Sequence, residues 1–220
     1  MNERHLFFDG YEIETKILNN NEILSHLLND INKKFLCSKG QCVIIPCFDN
    51  KSLLDDGISG IILGNNFHFT CHTFSNRNVV FIDLYSNEKI DSNDLINILK
   101  KYFEVKKYDL CIDNKITGKF GKHIIMETEF INYEEALQLV DKIIENIEMH
   151  PIYEKISYVD KNGYDILRPI AESHISIHCH NNQCFIDIFS CNTFDEKRIF
   201  NLLKNINRIK TVERGIFLTK

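Results

Sequence analysis

Polar and apolar residues alternate along two stretches of the chain that closely match each other. One reads HFTCHTFSNRNVVFIDLYS from His68, and the other reads HISIHCHNNQCFIDIFS from His174. Successive side chains of a β-strand point to opposite faces of a sheet, so this alternation predicts two strands joined by a short turn. The sequence therefore predicts the same β-hairpin twice, once in each half.

Each hairpin belongs to a longer repeated unit. The first strand, ERHLFFDGYEI, is matched by GKHIIMETEFI from Gly121. An amphipathic helix follows each of these strands, with apolar residues recurring three and four positions apart. A second helix follows each hairpin, read from DSNDLINILKKYF and TFDEKRIFNLLKNI, and a final strand follows that helix. The order β-α-β-β-β-β-α-β is thus predicted twice.

This order predicts an α+β fold. Alternating strands with helices on one side form a two-layer α/β sandwich. We place the joint in the Lys- and Gly-rich stretch DNKITGKFGK, which gives a first repeat at residues 1–115 and a second at residues 116–220. Because each sandwich leaves one sheet face to cover, we expect the halves to pair as a four-layer αββα pseudo-dimer. We leave open whether two pseudo-dimers pair further as a homodimer.

Composition narrows the class of protein. The net charge is −5, and no run of Lys or Arg is longer than a pair, which argues against nucleic acid as a partner. The charged start MNERHLFFDG carries no export signal, and no later stretch is long and apolar enough for a membrane span. We therefore expect a cytoplasmic protein, no membrane partner, and reduced thiols for the eight cysteines.

The two repeats differ at positions that could carry chemistry. The second repeat has Glu172 and Ser173 directly before its first histidine, where the first repeat has Asn66 and Phe67. Eight residues before Phe67 stands Ser59, in DGISGII, which we interpret as a tight turn that enters a strand. The second repeat carries an aspartate at the corresponding place, in NGYDILR. Each half lacks polar residues that the other half keeps.

These residues are similar to those of the S-adenosylmethionine decarboxylases. The small bacterial and archaeal members carry E-S-H-x-[ST]-x-H, a G-x-S-G segment, an HL-type first strand and D-x-[FL]-[TS]-C. Here the matching segments read ESHISIH, GISG, RHLFF with KHIIM, and DIFSC. The resemblance extends over nearly the whole chain, twice.

The resemblance implies an enzyme that makes its own pyruvoyl cofactor. Ser173 would attack the carbonyl of Glu172 and, after chain cleavage, become the pyruvoyl group. Cys191 would return a proton to the decarboxylated product. Ser59 and His72, from the first half, would assist processing, because a hydroxyl is a weak nucleophile and a histidine exchanges protons near neutral pH. One composite site would then remain per chain, and His178, the counterpart of His72, would be structural.

Substrate recognition departs from the family pattern. Asn76 stands where relatives have a glutamate for the ribose hydroxyls, and Leu53 replaces an expected aromatic residue, while Phe8 is aromatic. We expect these three positions to contact S-adenosylmethionine, for polyamine and spermidine synthesis. Two alternatives stay open: a pyruvoyl-dependent decarboxylase of a basic amino acid such as arginine or ornithine, and a regulatory paralogue that does not process itself.

No metal site is predicted. A histidine- and cysteine-rich stretch runs from His174 to Cys184, and its members are His174, His178, Cys179, His180 and Cys184. Alternation along a strand distributes these side chains over both faces of the sheet, so they are not expected to converge on one ion.

Overall fold

The computed structural model describes residues 5–47, 56–112, 115–116, 122–171, 173–190 and 194–204. The chain divides into two compact units, Met1–Phe120 and Gly121–Lys220. Most of the predicted joint between the repeats lies outside the described residues. No helix among the described residues is both long enough and apolar enough to cross a membrane.

The first unit contains the complete predicted order of elements. Its strands are β1 (His5–Tyr11), β2 (Gln41–Cys47), β3 (Gly57–Gly64), β4 (Phe67–Phe74), β5 (Val79–Ser86), β6 (Lys107–Ile112) and the short β7 (Lys115–Ile116). Its helices are α1 (Thr15–Leu18), α2 (Asn21–Leu36) and α3 (Ser92–Phe103). Two of these, α1 and β7, are short elements that the sequence pattern did not predict.

The second unit repeats this order over the residues described. Its strands are β8 (Lys122–Glu129), β9 (Ile156–Asp160), β10 (Gly163–Ile170), β11 (Ser173–His180) and β12 (Gln183–Ser190). Its helices are α4 (Tyr133–Ile147) and α5 (Glu196–Lys204). The predicted final strand falls in residues 205–220, outside the described residues.

The strand orders of the two sheets show that the two units share one topology. The first sheet runs β2-β3-β4-β5-β1-β6-β7 and the second runs β9-β10-β11-β12-β8. The second order equals the first five strands of the first order, element for element, and all pairings are antiparallel. The prediction of two homologous α/β halves is confirmed; their pairing into four layers stays a prediction.

Each sheet packs its apolar face against its own helices. In the first unit α2 and α3 bury their leucines and isoleucines against strand residues such as Phe69 and Ile82. In the second unit α4 and α5 do the same against residues such as Ile166 and Ile177. Polar side chains buried on the opposite, helix-free face alternate with these core residues, as the strand period requires. The alternation of polar and apolar residues along the strands therefore places the core residues on one face and the candidate site residues on the other.

Helix starts are fixed by side-chain caps that the sequence carries. The Oδ1 atom of Asn20 accepts hydrogen bonds from the backbone N–H groups of Glu22 and Ile23 at the start of α2. At the start of α4, Asn132 Oδ1 accepts from the backbone N–H of Glu135 at 2.9 Å. Such caps satisfy N–H groups that have no partner within the helix.

Two cysteines differ from the expectation of reduced thiols. Cys179 in β11 and Cys184 in β12 are directly opposed cross-strand partners, with their Cα atoms 4.0 Å apart, and their sulfur atoms form a disulfide. The register brings both Cβ atoms to the same face of the hairpin, which the spacing of the residues along the chain did not reveal. Among the described cysteines, Cys37, Cys42 and Cys71 remain free thiols.

The GISG segment is part of strand β3, so the expectation of a tight turn there is wrong. Its two glycines are explained by close packing on either side of the strand. A Cβ atom on Gly57 would overlap the backbone carbonyl oxygen of Thr73 in β4. A Cβ atom on Gly60 would lie 2.9 Å from Cδ1 of Leu24 in α2. The first clash involves backbone, whereas the second involves the end of a flexible side chain.

We predict that Gly57→Ala destabilises the protein far more than Gly60→Ala. Relieving the clash at residue 57 requires β3 and β4 to separate, and overpacking of this kind costs up to about 3 kcal/mol. Leu24 can rotate away from residue 60, so that variant should lose about 1 kcal/mol or less. Urea unfolding followed by circular dichroism measures both. Equal losses for the two variants would contradict the backbone explanation.

Candidate active site

A serine and a histidine of the first unit are joined by a hydrogen bond on the helix-free face of its sheet. Ser59 in β3 and His72 in β4 are directly opposed in the antiparallel register. Ser59 Oγ lies 2.8 Å from His72 Nδ1, and both residues are buried. Directly opposed side chains on one face are close enough to interact. The two residues that the sequence analysis selected in the first repeat therefore do meet.

The register beside this pair is held by Thr73. Its hydroxyl donates to the backbone oxygen of Ile58 at 3.1 Å and accepts from the backbone N–H of Ile58 at 2.9 Å. The Thr73 side chain thus links β4 to β3 by two hydrogen bonds, one as donor and one as acceptor. Because Ile58 precedes Ser59 in the sequence, these bonds limit movement of the Ser59 hydroxyl relative to the His72 imidazole.

The second unit has a carboxylate at the place of the serine. Asp165 in β10 is directly opposed to His178 in β11, the counterpart of His72. Asp165 Oδ1 lies 2.6 Å from His178 Nδ1, and Asp165 Oδ2 lies 2.9 Å from His180 Nε2. Burial opposes ionisation of Asp165, but hydrogen bonds and positive charge from the two histidines outweigh it and lower the pKa of the carboxyl. The carboxylate holds both imidazoles in place.

Ser173 occupies the first position of β11. It pairs with Ile170 of β10 and with Ser190 of β12, so two residues connect β10 to β11. The Ser173 side chain is fully buried, and its hydroxyl has no hydrogen-bond partner among the described residues. Glu172, before it, lies outside the described residues, as does Cys191, which follows Ser190 directly in sequence.

Two further carboxylates on the helix-free faces pair with histidines and were not among the predicted site residues. Asp83 in β5 lies 2.6 Å from His5 Nε2 and 3.6 Å from His68 Nε2, measured to Oδ1. Asp187 in β12 lies 3.3 Å from His174 Nε2. Each is the aspartate of the repeated FID segment. Its polar position within an apolar run was the signal that could have revealed a buried, paired carboxylate.

The histidine- and cysteine-rich stretch divides as the alternation predicted. Cys179 and Cys184 lie in the core beneath α4 and α5. His178 and His180 lie on the opposite face, with Asp165 between them. The disulfide sulfur atoms and the imidazoles of His178 and His180 therefore lie on opposite faces of the sheet.

The predicted substrate contacts have different surroundings. Asn76 lines a cavity of about 360 Å³ next to the first residues of β3 and the last residues of β4. The other described lining residues are Asn19, Asn21, Pro46, Asp56, Gly57, Ile58 and Ser75. Phe8 instead lies in the core on the helix side of the sheet, stacked on Tyr108 with ring centroids 5.0 Å apart. Its neighbour Phe7 shares the face of Ser59, and Leu53 lies outside the described residues.

The placement of Phe8 has a simple cause. Adjacent residues of a strand point to opposite faces, so only one member of a Phe-Phe pair can reach the polar face. Phe8 was expected to contact the substrate, but its position in β1 directs the ring towards the helices, where it packs in the core against Tyr108.

Comparison with known protein families finds one family that matches the chain twice. The family model described as S-adenosylmethionine decarboxylase matches residues 4–112 and again residues 123–215. Among solved structures, the crystal structure of the adenosylmethionine decarboxylase from Aquifex aeolicus VF5 is similar at 15% identity and a TM-score of 0.41. That alignment covers 54% of this chain and 96% of that chain. No curated protein gives a significant match.

The two family matches coincide with the two units that share one strand order. Together they cover nearly all of the chain, in two consecutive copies. The chain therefore belongs to the S-adenosylmethionine decarboxylase family.

Proposed function

We propose that the chain is a proenzyme that cleaves itself between Glu172 and Ser173 and then decarboxylates S-adenosylmethionine, the step that supplies aminopropyl groups for spermidine. The observation that carries this proposal is the divergence of one cross-strand pair. The first unit keeps a buried Ser59–His72 hydrogen bond, whereas the second unit has Asp165 and His178 there and keeps Ser173 instead. This division of polar residues between the two repeats supports the proposal.

Processing begins at the hydroxyl of Ser173. Attack of Oγ on the carbonyl carbon of Glu172 converts the amide into an ester and frees the amine of Ser173. Loss of the proton on Ser173 Cα then breaks the Cβ–Oγ bond, which leaves a carboxylate on Glu172 and a dehydroalanine. Addition of water and release of ammonia produce the pyruvoyl group. The burial of the Ser173 hydroxyl, without a partner among the described residues, fits a nucleophile that no neighbouring side chain engages.

We assign the proton transfers of this sequence to His72. An imidazole bonded through Nδ1 to Ser59 has a fixed orientation, which suits it to accept and return protons. We assign to the Ser59 hydroxyl a hydrogen bond that it donates to the oxygen of the intermediate. His178 is a poor candidate for the same role, because Asp165 already binds its Nδ1 and stabilises it in one position.

Decarboxylation itself needs an electron acceptor next to the substrate amine. A pyruvoyl group formed from Ser173 would supply this acceptor, because its ketone can condense with an α-amine and take up the electrons left when CO2 departs. We assign to Cys191 the return of a proton to the substrate carbon. Cys191 follows Ser190 in the sequence, and Ser190 is the cross-strand partner of Ser173, which supports this assignment.

A basic amino acid is the second candidate substrate, and the cavity around Asn76 favours it. Its described lining is made of amide, hydroxyl and carboxylate side chains with two apolar residues, and it includes no aromatic ring. Nucleoside recognition gains from aromatic stacking, whereas a carboxylate such as Asp56 and several amides suit a cationic group. Arginine or ornithine would present that group on the same α-amino acid head. The third candidate function is that of a regulatory paralogue that does not process itself.

The first prediction is self-cleavage. Purified chain should convert into two fragments, residues 1–172 and 173–220, with a net gain of one water and loss of one ammonia. Intact-mass spectrometry measures both fragments and the pyruvoyl end. Ser173→Ala should remain whole because it lacks the nucleophile. A wild-type chain that stays intact under native conditions would contradict the proposal and favour the regulatory reading.

The second prediction separates the two histidines. His72→Gln should slow self-cleavage by about a hundredfold or more, because glutamine cannot exchange protons at neutral pH. His178→Gln should process at nearly the wild-type rate, because glutamine can still donate to Asp165. The rate is followed as loss of full-length chain by gel electrophoresis. The opposite order of rates would assign processing to the second unit.

The third prediction concerns the substrate. Processed enzyme should release labelled CO2 from S-adenosylmethionine, and Asn76→Ala should raise KM with a smaller effect on kcat, as expected for a binding residue. Arginine and ornithine are assayed in parallel at equal concentration. Release of CO2 from a basic amino acid alone would establish the second candidate and leave self-cleavage unaffected.

A further inference from the structure

Three ionisable side chains of the first unit converge on the helix-free face, apart from the Ser59–His72 pair. His5, His68 and Asp83 come from β1, β4 and β5, which are neighbours in the sheet with β5 in the centre. The register places both histidines opposite Tyr85, one on each side, and Asp83 two residues along the central strand. All three side chains are buried. None of them has a role in the proposed reaction.

We propose that His5, His68 and Asp83 bind a divalent transition-metal ion of the Zn²⁺ type. Imidazole nitrogen and carboxylate oxygen are preferred ligands of such ions. One ring nitrogen each of His5 and His68 and a carboxylate oxygen of Asp83 all lie within 4.8 Å of one another. Tetrahedral zinc with ligands at about 2.1 Å separates neighbouring ligand atoms by about 3.4 Å. The observed separations of 2.6 and 3.6 Å from Asp83 Oδ1 lie on either side of that value.

The direction of the imidazoles distinguishes this cluster from the one around Asp165. At Asp165 the two histidines bind different carboxylate oxygens, His178 on Oδ1 and His180 on Oδ2. At Asp83 both Nε2 atoms approach the same oxygen, Oδ1. At Asp165 each histidine therefore has its own carboxylate oxygen, whereas at Asp83 the oxygen that is hydrogen-bonded to His5 is also the one nearest to His68, so the three ligand atoms surround one point. A metal ion placed there can contact all three.

The surrounding aromatic rings fix the two imidazoles in this direction. His5 packs on Phe7 with ring centroids 4.1 Å apart, and His68 stacks on Tyr85 with centroids 5.8 Å apart. Binding therefore requires side-chain shifts of less than about 1 Å to widen the 2.6 Å separation, with little loss of rotamer freedom. The second unit differs here, since the ring of His123, the counterpart of His5, stacks on Phe189.

The test uses untagged full-length chain, stripped with a chelator and dialysed against Zn²⁺ or Co²⁺. We expect one ion per chain by inductively coupled plasma mass spectrometry, and visible absorption bands of four- or five-coordinate Co²⁺. His68→Gln and Asp83→Asn should each weaken binding by at least about tenfold, because each removes a ligand. His180→Gln, a matched histidine replacement in the Asp165 cluster, should bind as the wild type does.

Circular dichroism of the metal-free variants verifies that they fold; if His68→Gln does not, His5→Gln takes its place. Added Zn²⁺ should raise the melting temperature of the wild type and of His180→Gln, but not that of the ligand variants. The proposal is overturned if the wild type retains no metal, if His68→Gln and His5→Gln both retain it, or if His180→Gln loses it equally. None of these readouts depends on self-cleavage or on decarboxylase activity.

Discussion

The antiparallel register between neighbouring strands decides which polar groups of this protein can meet. In both units helices cover one face of the sheet, so the strands direct their polar residues to the other face, where these residues are nevertheless buried. A buried polar group is costly unless it is hydrogen-bonded or paired. Serine, histidine and aspartate on this face therefore occur as directly opposed or diagonal neighbours.

One position of this register has two chemical outcomes in the same chain. Where the first unit places a hydroxyl opposite a histidine, the second places a carboxylate opposite the equivalent histidine. The hydroxyl of Ser59 shares one hydrogen bond with His72, whereas the buried carboxylate of Asp165 binds both His178 and His180. The backbone is the same in both cases, and the difference lies in a single side chain. The residue opposite the histidine thus determines which hydrogen bonds that histidine makes in each half.

Sequence reasoning could predict the longer elements and their order because each has a short-range signal, whereas α1 and β7 are too short to show one. Alternation identified the hairpins, and three- and four-residue spacing identified α2 and α4. The adjacency of Ser59 and His72 was accessible through the family resemblance. The disulfide and the pairing of Asp83 with two histidines were not, because they depend on which residues of separate strands stand opposite each other. Phe8 was misplaced for a related reason: a pair of identical residues does not reveal which of them faces the core.

The repetition of one strand order within a single polypeptide also affects how this protein can evolve. In an assembly of identical subunits, any substitution alters every copy of the sheet together, so a residue needed in one place must be tolerated in the other. In this chain the two sheets are encoded separately, so a substitution alters only one of them. An aspartate could replace a serine in the later sheet without removing the serine from the earlier one, and recognition of a new ligand could arise on one side while the inherited chemistry persists on the other.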